Sequence, residues 1–193
     1  QLLDGAASDI EHLQRQRESL LAQRDNLTEM LAAIDTLMED AMNKRKLTVE
    51  EIGHIVGDAN FAAHQQEAEE AYGSSEDWAM YQQRTADWSK QNWSDAQAGV
   101  AEVEEELAQA VASGVAPDSE EAQGLVEKHR AALSAFFPVT PAKHFLISRG
   151  YVTDERFRAH YEAQQERLAQ WLADAIEYAA KAQGVDTANP EWK

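Results

Sequence analysis

Residues 144–161, HFLISRGYVTDERFRAHY, gather histidine, phenylalanine, tyrosine, arginine and aspartate within a chain otherwise dominated by alanine, glutamate and glutamine. Such residues do acid–base work, ligate metals or stack on ligands. The six histidines raise a metal site first. Glu51-Ile52-Gly53-His54 has the Glu-x-x-His spacing of dimetal helical bundles, but those need the motif twice with two further carboxylates, and no second copy occurs. His129 and His144 could approach in space, yet two imidazoles close no site. The chain contains no HExxH, no GxSxG and no glycine-rich phosphate loop. With no cysteine there is no thiolate ligand, no disulfide and no cysteine nucleophile. Nothing favours a hidden Ser/His/Asp triad. The expectation is no catalytic residue, no metal ligand, no cofactor and no enzymatic activity.

A second stretch, FFPVTPAKH at 136–144, carries different chemistry. Phe136 and Phe137 close one helix, Pro138 prevents its continuation, and Thr140-Pro141 opens the next. Beyond it Tyr151, Arg156, Phe157 and Tyr161 surround another helix start. Rings with a few polar tips are the usual lining of a small-molecule pocket. Two helix corners held by ordinary core contacts fit the same residues.

The elements that position these side chains are helices. All fifteen aromatics lie beyond residue 60, which separates the first 46 residues from the rest. In that first stretch Ile10, Arg17, Arg24, Leu31 and Met38 recur every seven residues, and Leu13, Leu20, Leu27, Ile34 and Ala41 recur three places later. Two interleaved heptad series make a narrow apolar stripe on one helix, expected over 9–45 and about 55 Å long. A second copy of the same helix is its simplest partner, with Ile10, Leu13, Leu20, Leu27, Leu31, Ile34 and Met38 as the dimer interface. A helix folded back on the following domain is the alternative. Thr48 and Glu51 form a capping-box pattern, so a short helix starts there. N-cap residues and helix formers predict further helices over 59–72, 75–88, 91–113, 119–136, 141–149, 154–162 and 164–182. Leu168, Trp171, Leu172 and Ile176 should face inward from the last, and the final GVDTANPEWK should fray. The expected organisation is a coiled-coil dimerisation helix at 1–46, an all-α domain at 47–184 and a tail at 185–193.

The net charge is −18, and residues 47–193 carry −15 of it. So acidic a surface repels phosphate backbones and argues against direct nucleic-acid binding by this stretch. No apolar run approaches the roughly 20 residues of a membrane span, so no membrane partner is expected, and the cytoplasm is the expected location.

Taken in order, DIEHLQRQRESLLAQRDNLTEMLAAIDTLMED, LTVEEI, EAEEAYGSSEDWAMYQQRTADWSKQNW, PDSEEAQGLVEKHRAAL, FFPVTPAKH, GYVTDERFRAHY and LAQWLADAIEYAA resemble the dimerisation helix and TipA-like (TipAS) antibiotic-recognition domain of MerR-family transcription regulators. The resemblance implies an all-α, globin-like fold without haem and a homodimer tied by its coiled coil. It also implies promoter DNA bound only through an N-terminal portion ahead of Gln1. It implies a cleft for antibiotics or other hydrophobic compounds, and places Tyr72, Trp78, Tyr81, Phe136, Phe137, His144, Tyr151 and Phe157 around it, with Trp88 and Trp93 as further contributors. Members that trap thiopeptides covalently do so through a cysteine near the position of the KHFLIS helix; this chain has none, so reversible binding is expected. The alternatives are a stand-alone protein that sequesters antibiotic and a haem- or metal-dependent globin-type protein.

Overall fold

The computed structural model describes residues 2–43 and 45–192, and within the first helix the side chains of 12–35, 37 and 38. The described residues form helices joined by turns, without a strand. The chain divides into two compact units, Gln1–Arg45 and Lys46–Lys193.

The first unit is one helix, α1, Leu2–Asn43. Its 42 residues rise over about 60 Å at 1.5 Å per residue. Leu13, Leu20, Leu27, Leu31, Ile34 and Met38 are all exposed along it, as are Met30 and Leu37. The side chain of Ile10 lies outside the described residues. Arg24, inside the heptad series, donates from Nε to Oδ1 of its neighbour Asp25 at 2.9 Å.

The second unit holds α2 (Val49–Val56), α3 (Phe61–Tyr72), α4 (Glu76–Thr85), α5 (Lys90–Ala112), α6 (Glu120–Leu133), α7 (Pro141–Thr153), α8 (Glu155–Gln164) and α9 (Leu168–Ala182). The starts follow local chemistry. Thr48 accepts from the Glu51 amide while the Glu51 carboxylate accepts from the Thr48 amide, the expected capping box. Ser89 and Asn92 form a second capping box at α5, while Ser75, Ser119 and Thr140 cap α4, α6 and α7 by accepting from the amide three residues on; Pro141 occupies the first turn of α7.

Helix α9 is the centre of the unit, packed by α5, α6, α7 and α8. Leu168, Leu172 and Ile176 are sealed from solvent, and small Ala169, Ala173, Ala175 and Ala180 beside them admit neighbouring helices closely. The Trp171 indole adds a polar anchor, donating from Nε1 to the Val115 carbonyl at 2.7 Å. Helix α2 leans on α5, α3 packs on α2, and α4 packs on α3. Neither α3 nor α4 contributes a fully buried residue. The unit therefore has a dry half around α9 and a lightly packed half of α2, α3 and α4.

Several elements differ from expectation: α1 starts at Leu2 rather than 9, α4 ends at Thr85 rather than 88, and α6 ends at Leu133 rather than 136. Helix α7 runs past Gly150 to Thr153, because Tyr151 is buried and packing overrides the glycine. Helix α9 begins at Leu168, not 164. Arg167 takes a left-handed φ of 71° that breaks the helix, and its amide donates to Glu162 Oε2 at 2.7 Å. Through Trp192 the tail packs back on the unit rather than fraying. Val185 packs on the core, and Trp192 stacks on Tyr72 with centroids 6.5 Å apart and donates from Nε1 to Asp77 Oδ2 at 2.6 Å.

Candidate functional site

The lightly packed half bears an open cleft of about 560 Å³, within the range of small-molecule sites. One wall is α2, through Val49 and Ile52, with Leu47 just ahead of it; the facing walls come from α3 and α4. The Ser75 cap starts α4 so that Trp78 and Tyr81, one turn apart, both reach the cleft. Their rings lie 5.3 Å apart. The Ser89–Asn92 capping box starts α5 between Trp88 and Trp93 and brings both indoles together at 4.9 Å, edge to face. Trp93 is only 3% exposed and forms the floor. Phe61 meets it edge-on at 6.1 Å.

The polar part of the cleft is sparse. The Tyr81 hydroxyl donates to Gln65 Oε1 at 3.1 Å, tying α4 to α3. Burial pushes the Tyr81 phenol up, against a smaller opposing effect of that hydrogen bond, so it stays a neutral donor. Glu50, Glu69 and Lys46 supply the charges. Rings flanked by amides and a few charges bind and orient a ligand; no nucleophile–base pair lines this cleft.

The expected site residues separate into distinct places. Trp78 and Tyr81 line the cleft, with Trp88 and Trp93. Phe136 lies behind it, 5.5 Å from Trp88 and 6.3 Å from Trp93. Phe137 is half-buried at the corner after α6 and does not line the cleft. Tyr72 is 58% exposed and covered on one face by Trp192. Phe157 is 51% exposed on α8, edge-on to Tyr151 at 6.4 Å. His144 and Tyr151 point into the dry half. The structure thus does not bring Phe136, Phe137, Tyr151 and Phe157 around one hollow. The reason is the extended α7, whose buried face is drawn against α8 and α9.

His144 belongs to a buried polar cluster. Its Nε2 lies 2.8 Å from Nδ1 of His129, so one ring donates and the other accepts. The Tyr161 hydroxyl lies 3.4 Å from His129 Nε2, and Tyr151 packs on Tyr161 at 4.8 Å. Burial pushes His129 down to about 4 and His144 further, to about 2, where the neighbouring His129 and Arg130 add to the effect. Burial likewise raises both tyrosine phenols above their usual range. At the edge of this cluster His160 lies 3.0 Å from Glu104 Oε1, and Gln164 donates to Glu104 Oε2 at 2.7 Å. Burial alone would raise the Glu104 carboxyl, but these hydrogen bonds outweigh it and hold it low. Ser148 is spent on the Phe145 carbonyl at 2.7 Å. Among the described residues no group of three His, Cys, Asp or Glu is placed to hold a metal ion. Glu51 is engaged in its capping box and His54 is exposed.

Sequence reasoning missed Leu47, Ile52, Phe61 and Gln65. The apolar face of α2 was the available signal, but its partner helix was not readable locally. Among the described residues no helix is long and apolar enough to cross a membrane.

Comparison with known proteins adds four findings. The TipAS antibiotic-recognition domain family matches residues 64–179. The HTH-type transcriptional activator TipA of Streptomyces coelicolor, and that of Streptomyces lividans, are each 30% identical over 177 residues, covering 91% of this chain and 70% of theirs. The HTH-type transcriptional regulator SkgA of Caulobacter vibrioides is 22% identical over 173 residues, covering 88% of this chain and 68% of its own. The solved structure of TipAS from Streptomyces lividans in complex with nosiheptide superposes with a TM-score of 0.64 at 26% identity, covering 72% of this chain and 98% of that one. A family match over more than half the chain, a relative at this identity and a shared helical fold converge: the chain belongs to the TipAS antibiotic-recognition domain family of MerR-type transcription regulators.

Proposed function

We propose that this chain is the effector-sensing and dimerisation portion of a drug-responsive MerR-type activator, and that an antibiotic-like or other hydrophobic small molecule binds reversibly in the α2–α5 cleft. The observation that carries this reading is the convergence of Trp78, Tyr81, Trp88 and Trp93 on one open cleft within the family-matched residues. Aromatic faces with few fixed polar groups suit chemically varied, ring-containing ligands. The chain has no cysteine, which closes thiol capture.

The exposed heptad stripe of α1 supports a homodimer through that helix, since six apolar side chains of one face stand in solvent. Helix α2, the next element in the chain, is itself a cleft wall. Ligand that favours one arrangement of α2 would bias the geometry of the helix before it, and through that helix promoter DNA held by an N-terminal domain. Such coupling requires differential affinity for two states of the protein. Titration with nosiheptide and planar dyes, followed by tryptophan fluorescence, tests the binding; a saturable change is expected, and none with any of a diverse panel would refute it. Light scattering tests the dimer, with twice the chain mass expected and a monomer contradicting it.

A further inference from the structure

Charge on the cleft rim is mostly of one sign. Glu50, in the first turn of α2, and Glu69, on α3, both line it, and neither carboxylate has an ion pair among the described residues. Lys46 is the one lining cation among the described residues. The amides in the lining are partly committed: Gln65 accepts from Tyr81, and Gln66 donates to Glu70 at 3.0 Å. Beyond the rim, residues 47–193 carry a net −15, which raises the local concentration of cations and lowers that of anions. Within the cleft Trp78, Tyr81 and Trp88 are each partly exposed. Indole and phenol faces attract a cation by their quadrupole and stack on flat rings.

We infer that the occupant this cleft selects is a planar organic monocation, its ring system among Trp78, Tyr81 and Trp88 and its charge facing Glu50 and Glu69. This rests on the proposal that the cleft binds small molecules, and it names the class. An anion of the same shape would gain the stacking but meet two carboxylates, with Lys46 the one lining cation among the described residues to offset them. A neutral ring system would stack without using either carboxylate.

The test uses the full chain with rhodamine 6G, a monocation, and fluorescein, an anionic dye built on the same xanthene ring, with nosiheptide as a third ligand. Rhodamine 6G is expected to saturate a site by fluorescence anisotropy and to weaken as sodium chloride rises. Glu50→Gln with Glu69→Gln should weaken it about tenfold, two exposed ion pairs together, and weaken it more than it weakens nosiheptide. Glu50→Lys with Glu69→Lys should shift preference toward fluorescein. Both positions are exposed, so circular dichroism should match the parent chain. Equal binding of the two dyes, or rhodamine affinity indifferent to both double variants while nosiheptide still binds, overturns the cation selectivity and leaves the cleft reading intact. No binding of either dye or of nosiheptide removes the cleft reading beneath it.

Discussion

His129 Nδ1 and His144 Nε2 face each other at 2.8 Å with both rings sealed from solvent. That geometry needs one ring to accept, so both cannot be protonated at once, and burial disfavours the charge on either, which leaves the pair neutral. Their folded pKa values sit at about 4 and about 2, below the ordinary 6.5. The unfolded chain thus takes up protons that the folded chain refuses. Stability is full above pH 6.5 and falls as pH drops toward 4, by about 2 kcal/mol per buried histidine at pH 5. His160 works the other way: its hydrogen bond to Glu104 raises its pKa, so its contribution is present below 6.5 and fades as pH rises. Urea midpoints at pH 7.5 and pH 5 should show a net loss at the lower pH, larger in His160→Gln. Equal midpoints in both proteins would contradict a neutral buried pair.

Trp88 touches the cleft, Trp93 and Phe136 at once. Trp88→Ala should weaken nosiheptide or dye binding by about tenfold or more, as expected for an aromatic anchor. Trp171, buried in the core around α9 and not among the lining residues, is the control in ligand experiments.

Asp77 joins three parts of the second unit. Its carboxylate accepts from Lys143 Nζ on α7 at 2.7 Å and from the Trp192 indole at 2.6 Å. Lys143 and Asp77 are nearly buried, with side chains 10% and 13% exposed. Asp77→Ala leaves a buried ammonium without its partner and should cost about 3 kcal/mol. With no fully buried residue in α3 or α4, the first consequence should be local: hydrogen exchange in α4 quickens while α9 keeps its protection. Uniform loss of protection would show that α4 is not a separately opening element.

Gly53 sits where α2 meets α3, and a Cβ there would lie 2.9 Å from both the Asp58 carbonyl oxygen and Phe61 Cβ. The first neighbour is backbone, so the corner itself has to open. Gly53→Ala should cost about 1–3 kcal/mol by overpacking and lower ligand affinity by moving Phe61. Thermal melting and a dye titration on the same sample check both effects.

Much of the helical framework was legible because the caps are local: Thr48, Ser75, Ser89, Ser119 and Thr140 fix starts within a few residues of where they stand. Ends were less legible. Gly150 reads as a stop, yet burial of Tyr151 carries α7 through it. The cleft was legible in part. Trp78, Tyr81, Trp88 and Trp93 are close in sequence, and their clustering shows directly. Phe61 and Ile52 join them only through the packing of α2 on α5 and α3 on α2, which no local pattern encodes. Tyr151 and Phe157 read as a cleft rim because their neighbours are aromatic, whereas the packing of α7 on α9 turns Tyr151 inward. Trp192 closes on Tyr72 and Asp77 from a terminus whose composition resembles a frayed end.

The five tryptophans allow the central claim to be tested at single-residue level, since Trp78, Trp88 and Trp93 line the cleft while Trp171 and Trp192 do not. In an indole-resolved nitrogen–proton correlation spectrum, titrated with nosiheptide and assigned by single substitutions, the signals of Trp78, Trp88 and Trp93 should shift together and saturate while Trp171 stays in place. Shifts confined to Trp171, or saturable binding that leaves the three cleft signals unmoved, would contradict it.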